Sequence, residues 1–157
     1  QTTANHVLKT WLPKLEDVDA LMTVPPNKLV YTDACRPIAV AYQTPQTVTQ
    51  GAQSHDITPS TFEDALALAN VKAVADAAKA EFACGMTKAF AKSISSEPTT
   101  EALAKAFYDR LAKSPEKAAF ALDLLYIDDM KSLRAPPYID TGLAWLAGQL
   151  KGVGGAP

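Results

Sequence analysis

The sequence predicts an all-α fold: a single domain of roughly five to seven helices around one long central helix, braced by one disulfide. Three observations carry that expectation. Between residues 59 and 94, Leu68, Val71, Ala75, Ala78, Phe82 and Met86 recur three or four residues apart, the spacing of one buried helical stripe. Beyond residue 98, cap and stop residues fall at helix-length intervals. The chain also holds two cysteines, Cys35 and Cys84, an even pair that suits a bridge in an oxidising compartment.

Taken in order, residues 4–12 and 14–22 read as short helices meeting at Pro13, and Pro25-Pro26 breaks the chain. Residues 27–42 are apolar. Leu29, Val30 and Tyr31 would suit a strand, but the segment is read as a helix kinked at Pro37. Residues 43–57, QTPQTVTQGAQSHDI, read as a long polar loop, with Asp56 its single charge and Val48 and Ile57 its only bulky aliphatics. Structureless loops of that length are usually functional or disordered. The central helix follows at 59–94. Thr58 caps it, Pro59 fits its first turn, and Ser60 with Glu63 matches a capping box. Gly85 bends this helix or ends its first half. Thr99 or Thr100 opens the next helix, which reaches about residue 113 with Leu103, Phe107 and Leu111 on one face. Ser114 and Pro115 open another, with Phe120, Leu124 and Ile127 in the core, Leu125 nearby, and Lys131 and Arg134 in its last turn. Pro136-Pro137 stops it. A final helix spans 141–150 and leaves a flexible tail, 152–157.

Charge and motifs exclude several functions. The 15 basic and 17 acidic residues nearly cancel and are mixed along the chain. That leaves no basic footprint for nucleic acid and no polybasic membrane patch. The longest apolar stretch, 118–127, contains Asp123 and falls far short of the ~20 residues a membrane span needs. The start at Gln1 fits numbering from a cleavage site, and a trimmed piece would look the same. A Cys35–Cys84 bridge would close a loop of about 50 residues and contribute roughly 4 kcal/mol on a loop-entropy account. Two buried free thiols are the alternative. A periplasmic or secreted protein is expected. His6 and His55 read as surface residues, because Asp56, adjacent to His55 in sequence, is poorly placed to orient it. No nucleophile elbow, phosphate loop, dinucleotide fingerprint, H-E-x-x-H or C-x-x-C occurs. No catalytic residue, metal or cofactor is therefore expected. Asp123, Asp128 and Asp129 read as a solvated face answered by Lys131 and Arg134, or as a contact for a basic partner. Phe82, Met86 and Phe90 read as core, with a pocket for an apolar ligand as the alternative.

By elimination the chain reads as a non-enzymatic binding protein. In size, helicity, implied export and the Cys35/Cys84 pair it resembles the small periplasmic immunity proteins that neutralise peptidoglycan amidases of type VI secretion. The resemblance implies another exported protein as partner, a peptidoglycan amidase, and a homodimer. It also makes the segment 43–57 a candidate plug, with Gln46, Thr47, Thr49, Gln50, Gln53, Ser54 and His55 in contact. A disordered connection is the alternative for that segment. The rival functions are a helical carrier of a lipid or other apolar ligand, and an enzyme with an unrecognised site at His55 and Asp56.

Overall fold

The computed structural model describes residues 30–33, 36–39, 41–50, 53–96, 99–113, 115–127 and 130–153. The helices expected at 4–12 and 14–22, and Cys35, His6, Asp128 and Asp129, lie outside the described residues. Among those described, six α-helices dominate, but two antiparallel hairpins accompany them. The fold is mostly helical, not all-α. The described residues fall into two compact units, residues 43–137 and the residues on either side of them.

In the flanking unit, β1 (Val30–Asp33) pairs with β2 (Arg36–Ala39), with Tyr31 opposite Ile38. This hairpin replaces the expected kinked helix. Val30, Tyr31 and Thr32 are β-branched or aromatic, and Pro37 is tolerated on an edge strand. The last helix, labelled α6 below, runs Pro137–Val153. Pro137, expected as a stop, is instead its first residue, where a missing N–H costs nothing. Gly142 of this helix lies close to Ala41: a Cβ there would come within 3.1 Å of the Ala41 Cβ.

Unit 43–137 begins with a hairpin where a loop was expected. β3 (Gln46–Gln50) pairs with β4 (Gln53–Ile57), Val48 opposite His55 and Thr47 opposite Asp56. The side-chain period of two buries Gln46, Val48, His55 and Ile57 and leaves Thr47, Thr49, Ser54 and Asp56 in water. On the wet face the Thr47 hydroxyl donates to Asp56 Oδ1 at 2.7 Å.

The expected long helix is three helices: α1 (Phe62–Ala69), α2 (Val71–Ala77) and α3 (Gly85–Ser96). The capping box that starts α1 is Thr61 with Asp64, not Ser60 with Glu63. Thr61 N donates to Asp64 Oδ1 at 2.7 Å and Asp64 N to the Thr61 hydroxyl at 3.4 Å. Asn70 breaks the chain between α1 and α2. Residues 78–84 interrupt it again, although Ala, Lys and Glu there favour helix. Tertiary capping decides this second break. Asp123 accepts from Cys84 N at 2.9 Å and Glu116 from Met86 N at 2.8 Å, so two carboxylates meet the free N–H groups of a new helix start. A cap is worth about 0.5–2 kcal/mol, against a few tenths per residue of propensity. Gly85 permits this approach, since a Cβ would sit 3.0 Å from Glu116 Oε2.

Next come α4 (Thr100–Lys113), capped by the Thr99 hydroxyl as expected, and α5 (Lys117–Leu125). α5 ends at Tyr126, short of Lys131 and Arg134, and a 3-10 turn at Met130–Ser132 follows. Phe90 of α3 is the centre of the core. Its ring meets Phe107 of α4 at 4.7 Å and Phe120 of α5 at 5.2 Å, both edge to face. Val48, Ile57, Leu68, Val74, Met86, Leu103 and Leu124 close around these rings.

Two further expectations are corrected. Phe82 is not core: it is 70 % exposed, because the stripe from Leu68 loses its phase across two breaks. The Cys35–Cys84 bridge is not supported. Cys84 carries a free thiol, whose sulfur lies 3.2 Å from the Thr87 hydroxyl and accepts from Thr87 N at 3.5 Å. The sulfur caps the start of α3.

Candidate functional site

The most site-like feature of unit 43–137 is an open groove of about 810 Å³. α1 and α2 form one wall, and the end of α5 with residues 132–134 forms the other. Asn70 joins the two. Buried at 6 % exposure, its Nδ2 donates to Leu66 O at 2.9 Å and Arg134 O at 2.8 Å, while its Oδ1 accepts from Arg134 N at 2.7 Å. Both backbone groups of Arg134 are held by one amide, 64 residues away in sequence.

Ala69, Val71, Ala73, Ala77, Ala80 and Ile127 line the groove with small or apolar side chains, and Asn70, Lys72, Asp76, Asp123, Ser132 and Arg134 with polar ones. Phe82 and Tyr126 stand at the lip, 70 % and 73 % exposed, with ring centroids 5.9 Å apart and planes at 70°. Leu122, one helical turn before Tyr126, and Leu125, its chain neighbour, are also exposed.

The charged lining residues are Lys72, Asp76, Asp123 and Arg134, two of each sign, and Lys79 bonds Asp76 from outside the lining. Asp76 Oδ2 receives Lys72 Nζ at 2.6 Å and Oδ1 receives Lys79 Nζ at 2.7 Å. The hydrogen bonds from Lys72 and Lys79 hold the Asp76 carboxyl at about 2, and the same bond raises Lys72 above the usual ammonium range. Asp123, the second carboxylate lining the groove, is directed into the fold. It accepts from the Thr87 hydroxyl as well as from Cys84 N. Burial pushes its pKa up, but the bonds from Thr87 and Cys84 and the charge of Lys88 outweigh that and hold it below the ordinary carboxylate value.

The residues expected to form a plug separate onto two faces of the hairpin. Thr47, Thr49 and Ser54 are exposed, and Gln50 and Gln53 lie in the strands beside them. Gln46 and His55 point inward. Gln46 Nε2 donates to Ala65 O at 3.3 Å, and His55 Nδ1 lies 2.9 Å from the Thr100 hydroxyl. His55 is buried, not a surface residue, and among the described residues its Nε2 has no hydrogen-bond partner. β4 sends His55 and Asp56 to opposite faces, so they do not form a dyad. Of the apolar trio considered for a ligand pocket, Met86 and Phe90 are core and Phe82 is on the groove lip. Among the described residues no cluster of three or more His, Cys, Asp or Glu residues is placed to hold a metal, and no helix is long and apolar enough to cross a membrane.

Sequence reasoning passed over Asn70 and Tyr126 and misplaced Phe82. One signal for Asn70 was available, a lone turn-former in the run ALALANVKAVAD. No protein-family model, curated protein or solved structure matches the chain.

Proposed function

We propose that the protein acts by stoichiometric binding of another protein, through the groove face of unit 43–137 and without bond-making chemistry of its own. The observation that carries this is the Phe82–Tyr126 pair. Two aromatic rings stand in water, packed on each other at the lip of a groove and beside exposed Leu122 and Leu125. Aromatic side chains presented this way offer large contact area for little lost rotamer entropy, and they are typical anchors of protein interfaces. The wet face of the β3–β4 hairpin, with Thr47, Thr49 and Ser54, supplies a second polar contact surface in this reading.

The test is site-specific photo-cross-linking in the native host. A p-benzoylphenylalanine at position 126 is expected to give one discrete adduct, absent when the label is at position 105 on α4. No adduct, or the same adduct from both positions, contradicts the proposal. Its narrower form is an exported inhibitor of a peptidoglycan amidase, with a second copy of the chain as a further partner. It rests on the sequence resemblance and predicts that the adduct is an amidase whose activity the full chain titrates to zero at equimolar ratio.

A further inference from the structure

We propose that the last helix, α6, pairs antiparallel with α6 of a second copy of the chain, through a seam of Ile139, Leu143, Leu146 and Leu150. The second copy named above as a partner rests on the sequence resemblance. This inference rests on α6 alone and is independent of the groove.

The seam lies in the spacing of the helix Pro137–Val153. Its four residues recur at intervals of four, three and four, the alternation of a helix that packs along another helix. Ile139 is half-buried, but Leu143, Leu146 and Leu150 are 57 %, 47 % and 64 % exposed. Tyr138, Gly142 and Trp145, also half-buried, repeat on a face about 100° away, where Gly142 meets Ala41. Single leucines on a surface are ordinary, whereas three in one stripe form a contiguous apolar patch.

Two features select a second copy to cover it. The seam is its own complement. Intervals of four, three and four read the same from either end. A two-fold axis between residues 144 and 145 therefore sets Ile139 opposite Leu150 of the second copy, and Leu143 opposite its Leu146. The charges agree with the same register. Asp140 and Lys151 are the only charged residues of α6, one near each end, both exposed and both on the same flank of the seam. Among the described residues neither takes part in an ion pair. The antiparallel register brings Asp140 to within about 3 Å, along the helix axis, of the level of Lys151 in the second copy, and does so at both ends. The two helix dipoles then also oppose each other. A parallel pair would set Asp140 against Asp140 and Lys151 against Lys151. A strongly acidic or strongly basic partner would leave one of these charges against its like.

The test is analytical ultracentrifugation of the full chain from about 5 to about 500 µM, with reductant present so that no dimer forms through cysteine. The expected result is a monomer–dimer equilibrium. Leu146→Asp is expected to weaken it at least tenfold. Asp140→Lys is expected to weaken it at least threefold, and adding Lys151→Asp to that variant should restore it to within twofold of the native chain. All three side chains are exposed, and circular dichroism matching the native chain confirms the folds. Monomer at every concentration, association beyond the dimer, or a dimer that Leu146→Asp leaves intact overturns the inference. A dimer weakened by Leu146→Asp but not by Asp140→Lys also overturns it, because only the antiparallel register draws on those charges. None of these outcomes bears on the cross-link at position 126.

Discussion

Asp76 is held by two lysines from its own helix region, and its titration reports whether that cluster forms in solution. The carboxyl is expected to titrate at about 2, against an ordinary 3.8. A folded-state pKa below the unfolded one means that the group's contribution is present above about 3.8 and is lost as pH falls toward 2. Carbon-13 chemical shifts of the Asp76 carboxyl measured against pH check this, and a midpoint near 3.8 would show that the lysines do not hold it. Asp123 does structural work at longer range. Asp123→Ala strips Cys84 N and the Thr87 hydroxyl of their acceptor and removes a helix cap. The expected cost is about 2–3 kcal/mol by urea denaturation. Phe82→Ala is the opposite case: an exposed ring predicts a stability loss under about 1 kcal/mol. Sequence alone could place Asp123 on a helix but not see its role, because Thr87 lies 36 residues away.

At the scale of elements, legibility followed local signals. α4 was readable because Thr99 caps it within three residues and Leu103 and Phe107 repeat at helical spacing. The β3–β4 hairpin was equally local and was missed. Val48 and Ile57 are spaced by an odd count, and only the antiparallel pairing that sets Gln46 opposite Ile57 and Val48 opposite His55 puts them on one face. Polar composition masked that alternation. Pro137 was misread because a proline stops one helix and starts another with equal ease, and only the chain before it decides. The breaks at Asn70 and 78–84 left only weak local signals, the lone Asn70 and Gly85, because the groups that fix them, Arg134, Asp123 and Glu116, come from distant sequence. Asn70→Ala is accordingly expected to cost about 1–3 kcal/mol, since it leaves the Arg134 amide unpaired. Hydrogen exchange at Arg134 should accelerate in that variant while exchange at Phe90 changes only with global stability. Equal protection of Arg134 in both proteins would show that the clasp is not formed.

Unit 43–137 gathers three phenylalanine rings in its core and leaves other apolar residues, Phe82 and Tyr126 among them, in water. Phe90, Phe107 and Phe120 make the fold, while Phe82 and Tyr126 are available to something else. That division, rather than any catalytic constellation, underlies the binding reading. Elimination on the sequence led to a binding protein; the structure overturns the burial of Phe82 and the loop at 43–57, which is a hairpin. The account's central claim is that binding runs through the groove lip. It is tested most directly by isothermal titration of the full chain with the purified protein that cross-links at position 126. The Phe82→Ala, Tyr126→Ala double variant is compared with the native chain after matching thermal denaturation curves confirm its fold. The account predicts one-to-one binding for the native chain and at least a tenfold loss of affinity for the variant. Native-like affinity in the folded double variant would contradict it.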